Sequence, residues 1–188
     1  QMKWSSLCCR RSSAETNYMT AQIQDCCKFN DEDYTIIAMS DTVEFNPKNY
    51  GLYPTMLCTA CQTGYWCGYE IKRNFLILSD LYINDKSGRY PDINGVHVSP
   101  QEYTLNRVYK VGIGWFDENV PNYMGHHKYR NLNLSLHYSG YILIGKDHIS
   151  NCNCIYDSSF KTSYKTLLKL EFDNDKLTNI TDYNESIW

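Results

Sequence analysis

The chain has 188 residues, 43% of them hydrophobic and 21% charged, with a formal net charge of −3. That balance fits a globular chain rather than a disordered one, and the length suits one domain with a sizeable core. No basic excess marks a double-stranded nucleic-acid partner, and no apolar run nears the roughly 20 residues of a membrane-spanning helix, so neither partner is expected.

Residues 1–18 are Ser-rich and basic with little periodicity, and read as an N-terminal arm before a single β-rich domain over 19–188. Met2 to Leu7 runs into Cys8-Cys9-Arg10-Arg11 without a continuous apolar stretch. That lacks the apolar region of a secretory leader. There are nine cysteines, an odd number, with several adjacent, which argues against a secreted disulfide framework. A reducing cytoplasm is therefore expected.

Met19 to Gln24 is a short candidate strand. Asn30 to Asp33 reads as a turn, and the β-branched run Tyr34 to Met39 as a strand. In Asn46-Pro47-Lys48-Asn49-Tyr50-Gly51 the Asn can cap, Pro suits the first helical position and Gly can end the turn, so one helical or 3-10 turn is predicted.

From Tyr65 the pattern alternates. Tyr65, Cys67, Tyr69 and Ile71 point one way; Trp66, Gly68, Glu70 and Lys72 point the other. Arg73-Asn74 forms the turn, and Phe75 to Ile83 returns with both faces apolar, as if buried on both sides. This predicts a hairpin of 64–72 with 75–83. Gly64 and Gly68 mark either a bulge or the close approach of another backbone or a ligand.

Asp85 to Asn94 reads as a loop, and Ser99-Pro100-Gln101-Glu102 as the start of a short helix. Arg107 to Val111 is a predicted strand and 112–130 a long loop. Leu132, Leu134 and Leu136 alternate with polar residues as in a half-buried strand, and Tyr141 to Ile144 is another. Residues 147–162 read as irregular. Thr166 to Phe172, the turn Asp173-Asn174-Asp175 and Lys176 to Thr181 make a last hairpin. The sum is eight or nine strands with one or two short helices: a mainly β fold with a minor α component, an antiparallel barrel or sandwich.

Four chemistries are weighed. Cys58-x-x-Cys61 with Cys152 and Cys154 offers the thiolates of a zinc site. Cys-x-Cys departs from the usual paired knuckles, so buried or half-exposed thiols are the default and no metal or cofactor is expected. Cys58, Cys61 or Cys67 beside His126, His127 or His148 would make a nucleophile and base, but no family-specific signature flanks them. His126, His127 and Arg89, in charged loops, are the candidates for acid–base chemistry.

The seventeen tyrosines suit β packing and equally a binding surface. Tyr65, Trp66, Tyr69, Tyr82, Trp115, Phe116 and Tyr123 are the candidates to line a groove for a small-molecule ligand or protein partner. That binding reading ranks first, and an enzyme of unknown reaction using loop His with Asp or Arg is the alternative.

The run Thr59-Ala60-Cys61-Gln62-x-Gly64-Tyr65, with Tyr69-Glu70-Ile71 and Leu76-x-Leu78-x-Asp80, resembles a segment of small uncharacterised bacterial β-rich proteins. The resemblance covers about thirty residues and carries over no functional residue. It implies a bacterial cytoplasmic accessory protein, for instance one in a defence or immunity cassette.

Overall fold

The computed structural model describes residues 22–40, 45–100, 103–110, 114–121, 127–149 and 164–184, and of 103–110 and 114–121 the backbone alone. Ten strands appear among them: β1 (Cys26–Phe29), β2 (Glu32–Met39), β3 (Tyr65–Lys72), β4 (Phe75–Ile83), β5 (Tyr103–Lys110), β6 (Gly114–Pro121), β7 (His127–Tyr129), β8 (Gly140–His148), β9 (Tyr164–Asp173) and β10 (Lys176–Asp182). A 3-10 turn spans Pro47–Tyr50. The mainly β expectation holds.

Three two-residue turns set the register. Asn30-Asp31, Arg73-Asn74 and Asn174-Asp175 all adopt positive φ, joining β1 to β2, β3 to β4 and β9 to β10. Paired left-handed residues match the right-handed twist of the flanking strands, and Asn and Asp tolerate that conformation best. The 3-10 turn follows its sequence as well: the Asn46 side chain accepts from Lys48 N–H at 3.1 Å, and Gly51 ends it at φ 73°.

Eight strands form one sheet in the order β10-β9-β8-β2-β1-β3-β4-β7. Lys176 of β10 pairs back to Phe75 of β4, so the sheet partly closes into a ring without becoming a regular barrel. β5 and β6 form a separate hairpin. One pairing, β1 with β3, is parallel (Cys26 opposite Gly68, Cys27 opposite Tyr69), whereas alternating hairpins had predicted antiparallel pairs throughout. The fully buried core includes Leu76, Leu78, Leu81, Ile83, Ile142 and Leu170. Each such side chain contributes roughly 1.5–3 kcal/mol relative to exposure.

Several expectations change. Residues 22–25 are not strand, and pairing begins at Cys26. Residues 112–130 are not a loop throughout, since β6 and β7 lie within them. Ser99 starts no helix; it forms a bridge with Lys128. The predicted helix residues Gln101 and Glu102, the arm 1–18 and residues 150–163 lie outside the described residues. β4 is not buried on both sides. The register slips between Gly68 and Tyr69, leaving Ser79 as an extra residue. Leu76 and Leu78 point inward before this bulge, Leu81 and Ile83 after it, and Phe75 stands 46% exposed on the other side.

The leucine run is also corrected. Leu132 and Leu136 are buried and their polar neighbours exposed, so the alternation is real. Yet Asn131, Asn133 and His137 have positive φ, and only Leu134 bridges to Leu78. A ladder cannot run through such residues, so the backbone donors need other acceptors. The buried Asp175 carboxylate supplies them. It accepts from Leu136 N–H at 3.1 Å, His137 N–H at 2.9 Å, Tyr138 N–H at 2.6 Å and the Ser135 hydroxyl.

Of the two glycines, Gly68 sits at the bulge. Gly64, at φ +79°, is a close approach: a Cβ there would lie 2.3 Å from the Thr55 carbonyl oxygen.

Asp175→Ala leaves three backbone donors without their acceptor and is expected to cost about 3 kcal/mol or more. Exposed Asp173→Ala is expected to cost less than about 1 kcal/mol in the same turn. Urea unfolding of both variants checks this; equal losses would mean that the buried carboxylate is not what holds the segment.

Candidate functional site

Cross-strand partners share a face of the sheet. On the inner face, Tyr65 pairs with Ile83, Cys67 with Leu81 and Tyr69 with Leu78; on the outer face, Trp66 pairs with Tyr82 and Gly68 with Asp80. β7 extends both rows, with Tyr129 opposite Leu81, Lys128 opposite Tyr82 and His127 opposite Ile83.

The proposed aromatic residues therefore divide. Tyr69 is 4% exposed in the core, and Tyr65 packs against the same core. Burial raises the Tyr69 hydroxyl's pKa well above the ordinary tyrosine value, holding it neutral. Trp66 and Tyr82 stack on the outer face, ring centroids 3.6 Å apart and planes within 5°. The Lys128 ammonium lies 5.7 Å from the Tyr82 centroid, within cation–π range. Trp66, Tyr82 and Lys128 thus form one row across β3, β4 and β7. Trp115 lies on β6 opposite Tyr109, with Phe116 next to it opposite Val108. Tyr123 lies outside the described residues.

Two details give the row chemical character. The Trp66 Nε1–H is sheltered from solvent and has no hydrogen-bond partner among the described residues. A buried donor left unpaired costs about 1–3 kcal/mol, so an acceptor brought there would be favoured. Lys128 is only 8% exposed, which keeps its charge close to the rings. Beside this row Gly68 is buried, and a Cβ there would crowd Asp80 Cβ at 3.3 Å and Cys26 Sγ at 3.6 Å.

The histidine candidates lie elsewhere. His127, next to Lys128, points to the opposite side of β7. It stacks on Tyr90, centroids 3.9 Å apart, and Tyr90 packs against the core. Burial lowers its pKa and favours the neutral ring. Arg89 is exposed, and its backbone N–H donates to Ser87 Oγ at 3.1 Å. His126 lies outside the described residues. A different pair, His97 Nδ1 and Asp92 Oδ1, lies 2.6 Å apart on the exposed loop. Asp and His five residues apart form no sequence motif, so the sequence alone does not mark this pair. His148 meets Tyr164 edge-on at 5.1 Å.

Cys26, Cys27 and Cys61 offer little as nucleophiles. Burial, with Asp25, Asp33 and Asp80 nearby, pushes the Cys26 thiol up to about 11. Burial pushes Cys27 up to about 12, and Cys61 is also raised by burial. An activated cysteine needs the opposite shift. Among the described residues no three His, Cys, Asp or Glu side chains are grouped to hold a metal ion. Cys58 and Cys61 face each other across a turn, and their proposed zinc partners Cys152 and Cys154 lie outside the described residues.

The lowered His127 pKa predicts a pH dependence. Below about pH 6.5, the ordinary histidine value, the unfolded chain binds the proton that folded His127 resists. Its contribution is thus complete above that value and lost as pH falls through it towards the folded pKa. His127→Phe, which keeps a ring against Tyr90, is expected to reduce the fall in urea midpoint between about pH 7.5 and about pH 5. An unchanged fall would show that the ring titrates alike in both states.

No helix among the described residues is long and apolar enough to cross a membrane. No protein family, curated protein or solved structure matches the chain.

Proposed function

We propose that the chain is a binding protein, and that the outer-face row of Trp66, Tyr82 and Lys128 is where a small ligand or a protein partner is recognised. One observation carries this reading. An aromatic pair stands on the side of the sheet away from the core, with the indole N–H sheltered and without an acceptor among the described residues. Here one flat apolar surface, one directional donor and one nearby cation lie in a row, the combination that orients a planar or apolar group bearing an acceptor.

The alternative, an enzyme built on loop histidines, draws less support. His127 is stacked towards the core and separated by the sheet from the aromatic row, so the two sets do not serve one site. The thiols at Cys26, Cys27, Cys58, Cys61 and Cys67 support a reducing, cytoplasmic setting. The resemblance of the Thr59–Asp80 stretch extends the proposal to an accessory role in a bacterial defence or immunity cassette.

The test is a thermal-shift panel of nucleotides and amino-acid metabolites on the purified chain, followed by titration of any compound that stabilises it. Trp66→Phe keeps a stacking ring and removes the donor. It is expected to weaken binding about tenfold while leaving the melting temperature of the unliganded protein nearly unchanged. Undiminished binding by Trp66→Phe and by Lys128→Met would overturn this assignment of the site.

A further inference from the structure

The Cys58-x-x-Cys61 motif lies outside the main hydrophobic cluster and outside the aromatic row. It forms a tight turn: Cys61 N–H donates to the Cys58 carbonyl at 3.0 Å, and the two residues make an antiparallel bridge around Thr59-Ala60. Opposed residues of such a bridge carry their side chains on the same side. The ends of a β-turn lie within about 7 Å between Cα atoms, and disulfides close over about 4.4–6.8 Å. Cys58 is half-buried and Cys61 is 2% exposed; both are present as thiols.

The turn also anchors the segment leading into β1. Ile23 N–H donates to the Ala60 carbonyl at 2.7 Å. The Gln22 side chain grips the turn twice, donating to the Thr59 carbonyl at 2.7 Å and accepting from Gln62 N–H at 3.1 Å. Immediately after the turn, Gly64 lies against the Thr55 backbone. Anything that rigidifies 58–61 therefore rigidifies the place where residues 22–23 dock.

We propose that Cys58 and Cys61 are a reversible dithiol–disulfide pair, exchanging with small-molecule disulfides such as oxidised glutathione, and that oxidation clamps the turn on which the segment before β1 is held. Cys58, the more accessible sulfur, attacks first as the thiolate. The glutathione S–S bond breaks, a Cys58–glutathione disulfide forms and one glutathione thiolate leaves to take up a proton. Cys61 then loses its proton to solvent, and its sulfur attacks Cys58 Sγ. The second glutathione leaves and is protonated. Two cysteine thiols have been oxidised by two electrons, and one glutathione disulfide has been reduced to two thiols. Cys61, whose thiol burial raises, is suited to this second step rather than to the first. Cys26 and Cys27, raised further, are slow competitors. A disulfide of this kind in a reducing compartment is transient and redox-sensing rather than structural.

The test equilibrates the full chain with glutathione buffers of graded oxidation, then uses acid quenching, alkylation and tandem mass spectrometry. The expected result is a Cys58–Cys61 linkage, two hydrogens lighter, that forms and is reversed with the buffer ratio. Slower hydrogen exchange at the Ile23 amide is expected in the oxidised form. Cys58→Ser, at the half-exposed position, should abolish both changes and leave the far-ultraviolet spectrum unaltered. The proposal is overturned if Cys58 and Cys61 stay alkylatable in excess oxidised glutathione, or if Cys58 is found bridged to another cysteine. Stoichiometric zinc retained by the purified chain and shielding both thiols would overturn it as well.

Discussion

The ring of strands depends on what happens along the free edge of β4. That edge belongs to a strand with four fully buried side chains, Leu76, Leu78, Leu81 and Ile83, and an open apolar edge would invite another chain to pair with it. Three segments cover it in series. Phe75 meets β10, Leu78 meets Leu134, and Leu81 to Ile83 meet β7. The middle piece is held by a buried carboxylate rather than by a ladder. Asp175 lies in the turn between β9 and β10, and its side chain gathers three successive backbone donors from Leu136 to Tyr138. Its own N–H donates to the Tyr138 carbonyl, and its carbonyl accepts from Leu76 N–H, each at 2.7 Å. One residue thus ties the last hairpin to β4 and to the irregular leucine segment. A side chain with two acceptor oxygens can satisfy donors that lie off any strand axis, which a backbone carbonyl cannot do.

A second constraint decides which residues face outward. With strict alternation from Leu76, Tyr82 would point into the core beside Leu78. The extra residue Ser79 reverses the phase, so Leu81 and Ile83 fill the core and Tyr82 turns out to meet Trp66. Bulges re-aim side chains in this way, at the cost of one broken step in the ladder. Gly68 sits opposite the break, where a Cβ would come within 3.3 Å of Asp80 Cβ. The outward turn of Tyr82 is therefore a consequence of one inserted residue.

Much of this was legible in the chain. The turns at Asn30-Asp31, Arg73-Asn74 and Asn174-Asp175 need residues that tolerate positive φ, and those residues are present. The cap at Asn46 and the glycine at Gly51 mark their own turn. What was not legible follows from interactions between distant residues. The doubly apolar pattern of β4 reads as burial on both faces, because the mark of the bulge, Gly68, lies on β3 and the extra residue on β4 is an ordinary serine. The parallel pairing of β1 with β3 joins residues about forty positions apart, and nothing in Cys26 to Phe29 states its direction. β7 is three residues long, too short for periodicity to show. The leucine run reads as a strand because its burial alternates; only the left-handed Asn131, Asn133 and His137 reveal that its hydrogen bonds go elsewhere. The aromatic residues were found by type, but their division between two faces depends on the bulge.

The division matters for function because β7 carries both functional candidates back to back. Lys128 and His127 are consecutive, and consecutive strand residues point to opposite faces. Lys128 joins the outer row over Tyr82, while His127 enters the inner side against Tyr90. The histidine's side of the strand carries Tyr90, Tyr129 and the loop of Asp85. Tyr129 is fully buried and donates to the Pro91 carbonyl at 2.7 Å; buried Asp85 is engaged by Tyr53 N–H and by Ser87. Those polar groups already have partners in the folded chain, which is how a structural hydrogen-bond network looks. Among the described residues the Trp66 indole N–H is the contrasting case, sheltered and without a partner. It lies on the outer side, where Lys128 stands over Tyr82 and the proposed recognition row runs.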